Sequence, residues 1–348
     1  LGLAAALLLA DAGQRTLAAL AFAAAMLHTL NHALFKSLLF LCAGSFQRRV
    51  GKLDLDRLGG LLHAMPLTGI AFLAAAMAIA GVPPFNGFAS EWLTLQALVQ
   101  LALHGGAEGV VVGALAAAVL AATAALAVFC FVKVVGLVLL GAPRQKVVAD
   151  AREVAGSMTA SALALAGLCL AIGVVPGVVL AQIQHLSPYG ALPASVTGLT
   201  LAGPGSGVFA PLGVAIALAV GTIAMQFLRW RAGTTASSSM WICGQVPSAR
   251  LAWTSAGFTK SLRLVLGIVL RPRRSVRIER QGTMVHSVEH ESEIPHLFDE
   301  LLFRPALDFV LATSRVLRRL QSGSLQVYLT YLLLTLAVVL VALRVVAP

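Results

Sequence analysis

Apolar stretches long enough to cross a bilayer recur along this chain, and that pattern settles the fold class before any single motif is read. A helix needs about 20 apolar residues to cross the hydrocarbon core. Thr16–Phe46, Gly109–Leu140, Met158–Gln182, Pro211–Leu228 and Leu325–Val345 come up to or exceed that length, with polar loops between them. Backbone groups in lipid must be paired internally, so such runs read as helices. The expected fold is an all-α polytopic membrane protein. A hydrophobic share of 59%, a charged share of 11% and a mean hydropathy of +0.89 agree. Leu1–Ala10 reads as the end of a span, so the chain is expected to be the C-terminal portion of a longer protein.

The net charge of +11 invites a nucleic-acid reading. The basic residues instead fall mostly between or after the apolar runs, as the positive-inside rule describes. The four cysteines, Cys42, Cys130, Cys169 and Cys243, show no CxxC or Cys/His ligand spacing. Iron–sulfur and structural zinc sites are therefore not expected on this chain.

Pro66–Leu103 is too long for one straight crossing and is interrupted at Val82-Pro-Pro-Phe-Asn-Gly87. Adjacent prolines remove two backbone donors, which excludes a continuous helix. The stretch is either two crossings with a tight turn or one crossing made by a broken helix. Counted as one, it puts the basic loops after Phe46, Leu140 and Leu228 on a common side, which is then cytoplasmic. From Arg229 to Ser322 the chain is more polar; Thr259–Leu270 and His296–Leu320 read as amphipathic helices and Arg277–Glu293 as an exposed connector. Four regions follow: 1–182 with the broken helix, 183–230 with a loop and a further span, a basic lateral segment over 231–322, and a last span over 323–348.

Within the first complete span, His28, His32 and Lys36 recur at steps of four, which keeps them within about 80° of one helical face over roughly 12 Å. Ionisable groups at membrane depth are costly and face a bundle interior or a water-filled path. The bland alternative, helix-packing polar groups or snorkelling ends, suits one such residue better than three in register. Glu91 follows the Pro83-Pro84 break, where transporters place ion sites. It reads equally as a carboxylate at an interfacial helix start, with Ser90 as cap and Trp92 as interfacial aromatic. Lys133 sits inside an apolar run but near enough to its end to snorkel. His63, His104 and His185 lie near span ends and read as interfacial. No phosphate-binding glycine loop, HExxH or nucleophile elbow occurs; the glycines at Gly203 and Gly205 are too few and misplaced for a nucleotide, and Arg271–Arg274 is no nucleic-acid site in a lipid-embedded chain.

The run His28-xx-Asn-His32-xxx-Lys36-xxx-Phe40 ending in Gly44-Ser45 resembles the signature of the antiporter-like membrane subunits of complex I and Mrp antiporters. Gly59-Gly60, Met65-Pro66 and Pro83-Pro84-Phe-Asn-Gly-Phe-x-Ser-Glu91 continue the likeness. Trp241-Ile-Cys-Gly244, Thr254–Lys260 and Leu320–Tyr328 resemble the branch of formate hydrogenlyase and hydrogenase-4-type large membrane subunits. The resemblance implies a helix bundle of two inverted repeats, each with a broken helix. It places His28, His32, Lys36, Glu91 and Lys133 on a proton pathway, with the first repeat's glutamate–lysine pair before Leu1. It further implies a multi-pass inner-membrane subunit of a redox-driven complex. Iron–sulfur clusters and a nickel–iron centre would sit on partner subunits in a peripheral hydrogenase-like arm, with no redox centre on this chain. A multisubunit Na+/H+ antiporter without redox partners and a non-transporting anchor are the rival expectations.

Overall fold

The computed structural model describes residues 1–190, 211–231, 243, 253–267, 273–281, 284–293, 299–318 and 323–346. The glycines at 203 and 205, the tail residues Trp241, Ile242 and Gly244, Arg271, residues 320–322 and the ends of both expected amphipathic stretches lie outside the described residues. The chain divides into two units, Leu1–Phe258 and Thr259–Pro348. Among the described residues, five helices are long and apolar enough to cross a membrane, and the chain is a multi-pass membrane protein.

The first unit is arranged along one long helix. α1 (Gly2–Asp11) turns at Gly13 into α2 (Arg15–Val50), which at 36 residues is about 54 Å long. α2 ends at Gly51, with Arg48 and Arg49 in its last turn, where cations suit the carbonyl end of the helix dipole. The short α3 (Leu61–Ala64) leads to α4 (Pro66–Ile79), and after the proline break comes α5 (Asn86–His104). α4 packs Ala71, Phe72 and Ala75 against the C-terminal half of α2, with the Phe46 and Phe72 rings 5.6 Å apart. α5 packs Ala89, Leu93, Ala97 and Leu101 against the alanine-rich N-terminal half of α2. The two helices therefore lie end to end along α2, antiparallel to it, as a single broken crossing. The geometry removes the two-crossing alternative.

α6 (Gly106–Val138) runs back along both halves: Gly113 lies against Leu98 and Ala102 of α5, and the backbone after the far end of α6 bonds Leu62. Its most apolar stretch is unburied within the chain, as a lipid- or subunit-facing helix is. After α7 (Lys146–Ala149) come α8 (Gly156–Val174) and α9 (Pro176–Ile183), broken apart at Val175-Pro176, then α10 (Pro211–Arg231) and α11 (Ser255–Phe258). α8 presses backbone to backbone on the break. A Cβ on Gly173 would stand 2.5 Å from the Phe85 carbonyl carbon and 2.6 Å from Asn86 N, and Gly87 meets the Ala78 carbonyl even more closely.

α4 has no side-chain cap from its own flank. Its orphan amides are capped from far along the chain by Glu153, which accepts from Leu67 N at 2.7 Å, Thr68 N at 3.0 Å and the Thr68 hydroxyl at 2.7 Å. A carboxylate there satisfies donors and the positive helix end together. Arg49 donates to the Glu153 backbone carbonyl, tying this cap to the end of α2. Nearby, Arg144 donates to the Trp253 carbonyl at 2.6 Å, Ser255 N donates to Asp56 at 2.5 Å, and the Phe129 and Phe258 rings lie 5.1 Å apart. Trp253–Phe258 is thereby pinned to the first unit.

The second unit holds α12 (Lys260–Val265), a two-stranded hairpin of β1 (Arg273–Gln281) and β2 (Met284–Glu293), α13 (Arg304–Arg318) entered through a π turn, and α14 (Leu325–Val346). The expected helical membrane fold holds, but the expected connector over Arg277–Glu293 is a strand pair. Its register sets Arg273 opposite Glu293 and Arg277 opposite Glu289, with a bulge between Glu279 and Arg280. Val276 and Ile278 alternate with charged residues, and opposite charges face each other across the ladder.

Two outcomes test this packing. Glu153→Ala should destabilise the first unit by about 1–2 kcal/mol, the usual cost of a lost cap, read as a lower Tm of the purified protein; an unchanged Tm contradicts the cap. Gly173→Ala should cost about 1–3 kcal/mol, because backbone rather than a movable side chain opposes the added methyl; wild-type stability contradicts the contact.

Candidate functional site

The break puts polar groups where the rest of α2 and α5 pack alanine and leucine. Asn31 and Asn86 are both 0% exposed. Asn31 Nδ2 donates to the Asn86 backbone carbonyl at 2.8 Å, and Asn86 Nδ2 returns a bond to Asn31 Oδ1 at 3.1 Å. Asn86 is the first residue of α5, so this clasp ties the restart of the broken helix to the middle of α2. Asn86 Oδ1 is buried and has no hydrogen-bond partner among the described residues. One turn from Asn31, His28 Nδ1 lies 3.1 Å from Ser90 Oγ.

The polar row continues along α5. Thr94 bonds back to the Ser90 carbonyl at 2.8 Å, and Thr94, Gln96 and Gln100 are buried. His104 Nδ1 lies 3.2 Å from the Gln100 carbonyl oxygen at the end of the helix. Sequence reasoning passed over Asn31, Asn86, Thr94, Gln96 and Gln100 and took Ser90 only as a cap. The available signal was uncharged polar residues at turn spacing on a helix adjoining an unavoidable break.

Glu91 is half-buried beside the end of α4. Gly81, at φ +63°, lies so close that a Cβ there would be 3.0 Å from the Glu91 carboxyl carbon. Only a residue without a side chain both adopts that backbone and leaves room for the carboxylate. The carboxylate thus reaches back across the break to the last turn of the helix that the prolines end.

The other expected site residues are less enclosed. His28 and Lys36 are half-buried and His32 is exposed, so their shared face borders the edge of the described bundle. The His28 and His32 rings are 6.2 Å apart, and His32 packs edge-on to Phe35 at 5.3 Å. Lys133 is half-buried on α6. Among the described residues, no ion pair engages Lys36, Glu91 or Lys133; the pairs present, Arg57–Asp54 at 3.2 Å and Arg144–Asp56 at 3.8 Å, are in loops. The structure therefore unites His28 with the break, sets Glu91 at the same joint, and leaves Lys36 and Lys133 without a direct link to either. His63 ends α3 and His185 lies in a 3-10 turn, both away from the joint. Among the described residues no three His, Cys, Asp or Glu side chains converge to hold a metal ion.

The chain is similar to known proteins. Residues 9–116, which run from α1 through the break into α6, match the family described as NADH:quinone oxidoreductase/Mrp antiporter, TM. Hydrogenase-4 component B of Escherichia coli is 32% identical over 92% of this chain and 49% of its own length. Formate hydrogenlyase subunit 3 of the same organism is 35% identical over 75% of this chain and 42% of its own length. The chain thus spans about half the length of these curated relatives. Among solved structures, a chain of the membrane-bound sulfane sulfur reductase, an archaeal respiratory membrane complex, superposes with a TM-score of 0.61 at 22% identity. That match covers 92% of this chain and 48% of the other, and shows a common fold. Over residues 9–116, which hold the break and the ionisable motif, the chain is thus similar to the transmembrane module of the NADH:quinone oxidoreductase/Mrp antiporter family.

Proposed function

We propose that the chain is part of a proton-translocating membrane subunit in a redox-driven, hydrogenase-like complex. The observation that carries this reading is the joint at the break, where a histidine and a carboxylate meet an interrupted helix in the membrane. Interrupted helices free backbone groups at depth and are tolerated where they line a polar path. The likeness to hydrogenase-4 component B and formate hydrogenlyase subunit 3 supports the redox setting.

In this reading His28 and His32 relay protons, since imidazole changes charge near neutral pH. Lys36 carries the switching charge and Glu91 gates exchange across the break. Lys133 extends the path along α6. Electron transfer takes place on partner subunits that carry iron–sulfur clusters and a nickel–iron centre, and this chain contributes the membrane path. Other membrane subunits flank it, with the amphipathic α13 as a grip for them; its Phe309, Val310 and Leu317 are exposed. The face shared by His28, His32 and Lys36 carries ionisable groups that are costly against lipid, which favours a polar neighbour there.

The test uses the full-length chain in its assembled complex, reconstituted in vesicles without sodium and driven by its electron donor. Lys36→Ala and Glu91→Gln should each lower proton uptake about tenfold or more with normal assembly. Normal uptake in both variants contradicts the assignment, and uptake that requires a sodium gradient favours a cation/proton antiporter instead.

A further inference from the structure

Ser90 stands between two groups that can each use its hydroxyl. Its Oγ lies 3.0 Å from the Gly87 carbonyl oxygen and 3.1 Å from His28 Nδ1, with the Asn86 carbonyl oxygen further off at 3.5 Å. A serine hydroxyl has one proton to donate and lone pairs with which to accept. The site therefore has two settings. With the Ser90 proton on the Gly87 carbonyl, Oγ accepts from a protonated His28 Nδ1. With the O–H turned to His28, an unprotonated Nδ1 accepts and the imidazole proton sits on Nε2. The first setting serves the imidazolium and one neutral tautomer, and the second serves the other neutral tautomer. No heavy atom has to move between them. A backbone amide or a methyl group in that place suits at most one state.

Such a partner works only if Ser90 stays in place, and the clasp one turn earlier holds it there. Asn31 and Asn86, both 0% exposed, lock the first turn of α5 to α2. Ser90 itself is 0% exposed, so no solvent competes for its hydroxyl. On its own helix the neighbouring ionisable group is His32, 6.2 Å away ring to ring. Of the other helices packed on α2, α5 brings Glu91, whose carboxylate lies at Gly81, and His104 at its far end; α1 has Asp11 at its far end; α7 has Lys146; α8 has only the Cys169 thiol; α4 and α9 have none.

We propose that Ser90 is the adaptive partner of His28, a positioning residue fixed by the Asn31–Asn86 clasp, which keeps Nδ1 hydrogen-bonded in every protonation state. Ser90 turns its O–H and keeps its own proton throughout; His28 exchanges the transported proton with the path, and whichever neutral tautomer that exchange leaves finds a partner in Ser90. The proposal deepens the proton-carrier reading of His28 and rests on it. It also links the histidine to the break, because any shift of the start of α5 moves Ser90 off the imidazole.

The full-length chain in its complex, reconstituted in vesicles with a trapped pH dye, carries the test. Ser90→Ala should assemble, slow proton uptake roughly five-fold, the rate equivalent of one lost hydrogen bond, and move the pH profile of uptake. In a His28→Gln background the same change should add nothing. If Ser90→Ala does not assemble, Ser90→Cys, which fills the space but donates weakly, is read in the same way. A wild-type rate and pH profile in the serine variant, with His28→Gln impaired, overturns the adaptive role and leaves the carrier reading standing. Wild-type uptake by His28→Gln overturns the carrier reading and this proposal with it.

Discussion

A helix interrupted inside a membrane has to find partners for the backbone groups it frees, and this structure is built around that demand. Water is not at hand in the hydrocarbon, and each unmet group costs several kcal/mol. At the break the Asn86 carbonyl receives Asn31, while Gly87 and Gly173 let backbone press on backbone. At the other end of α4, Glu153 caps the first turn from a loop that Arg49 holds. α2 is the common wall for both halves. Its 36 residues let α4 and α5 follow one another along it, so both halves are packed against one helix.

The same arrangement gives the ionisable residues their setting. The clasp fixes the start of α5, the start of α5 fixes Ser90, and Ser90 meets His28. On the other side of the break, Gly81 makes room for Glu91. A charged group next to an irregular backbone has polar neighbours that an intact helix does not offer. That is a physical reason for the histidine and carboxylate to gather at the joint rather than along the regular parts of the helices.

Much of this was legible in the residues. Apolar run lengths gave the helical membrane fold, and Pro83-Pro84 marked the break, which runs from the end of α4 at Ile79 to the restart of α5 at Asn86. Steps of four placed His28, His32 and Lys36 on one face. The degree of enclosure was not legible, because which neighbour covers a helix face is a tertiary fact; His32 proved exposed. The Glu153 cap was also hidden, since it joins residues some 85 positions apart. Asn31 and Asn86 escaped notice because uncharged amides raise no alarm in a hydropathy reading. The strand pair after Arg273 was passed over because its charges suggested a solvated connector, although its alternation also fits a ladder.

The account stands or falls on how the separate ionisable groups communicate. Among the described residues His28, Lys36, Glu91 and Lys133 share no hydrogen bond or ion pair, so on the proposed path protons pass between them only through water. The most direct measurement is an experimental structure of the full complex at a resolution that reveals ordered water. The account predicts water bonded to the buried Asn86 Oδ1 and a continuous chain of waters joining His28 and Lys36 to Glu91 at the break. Dry apolar packing between these side chains in the assembled complex would contradict it.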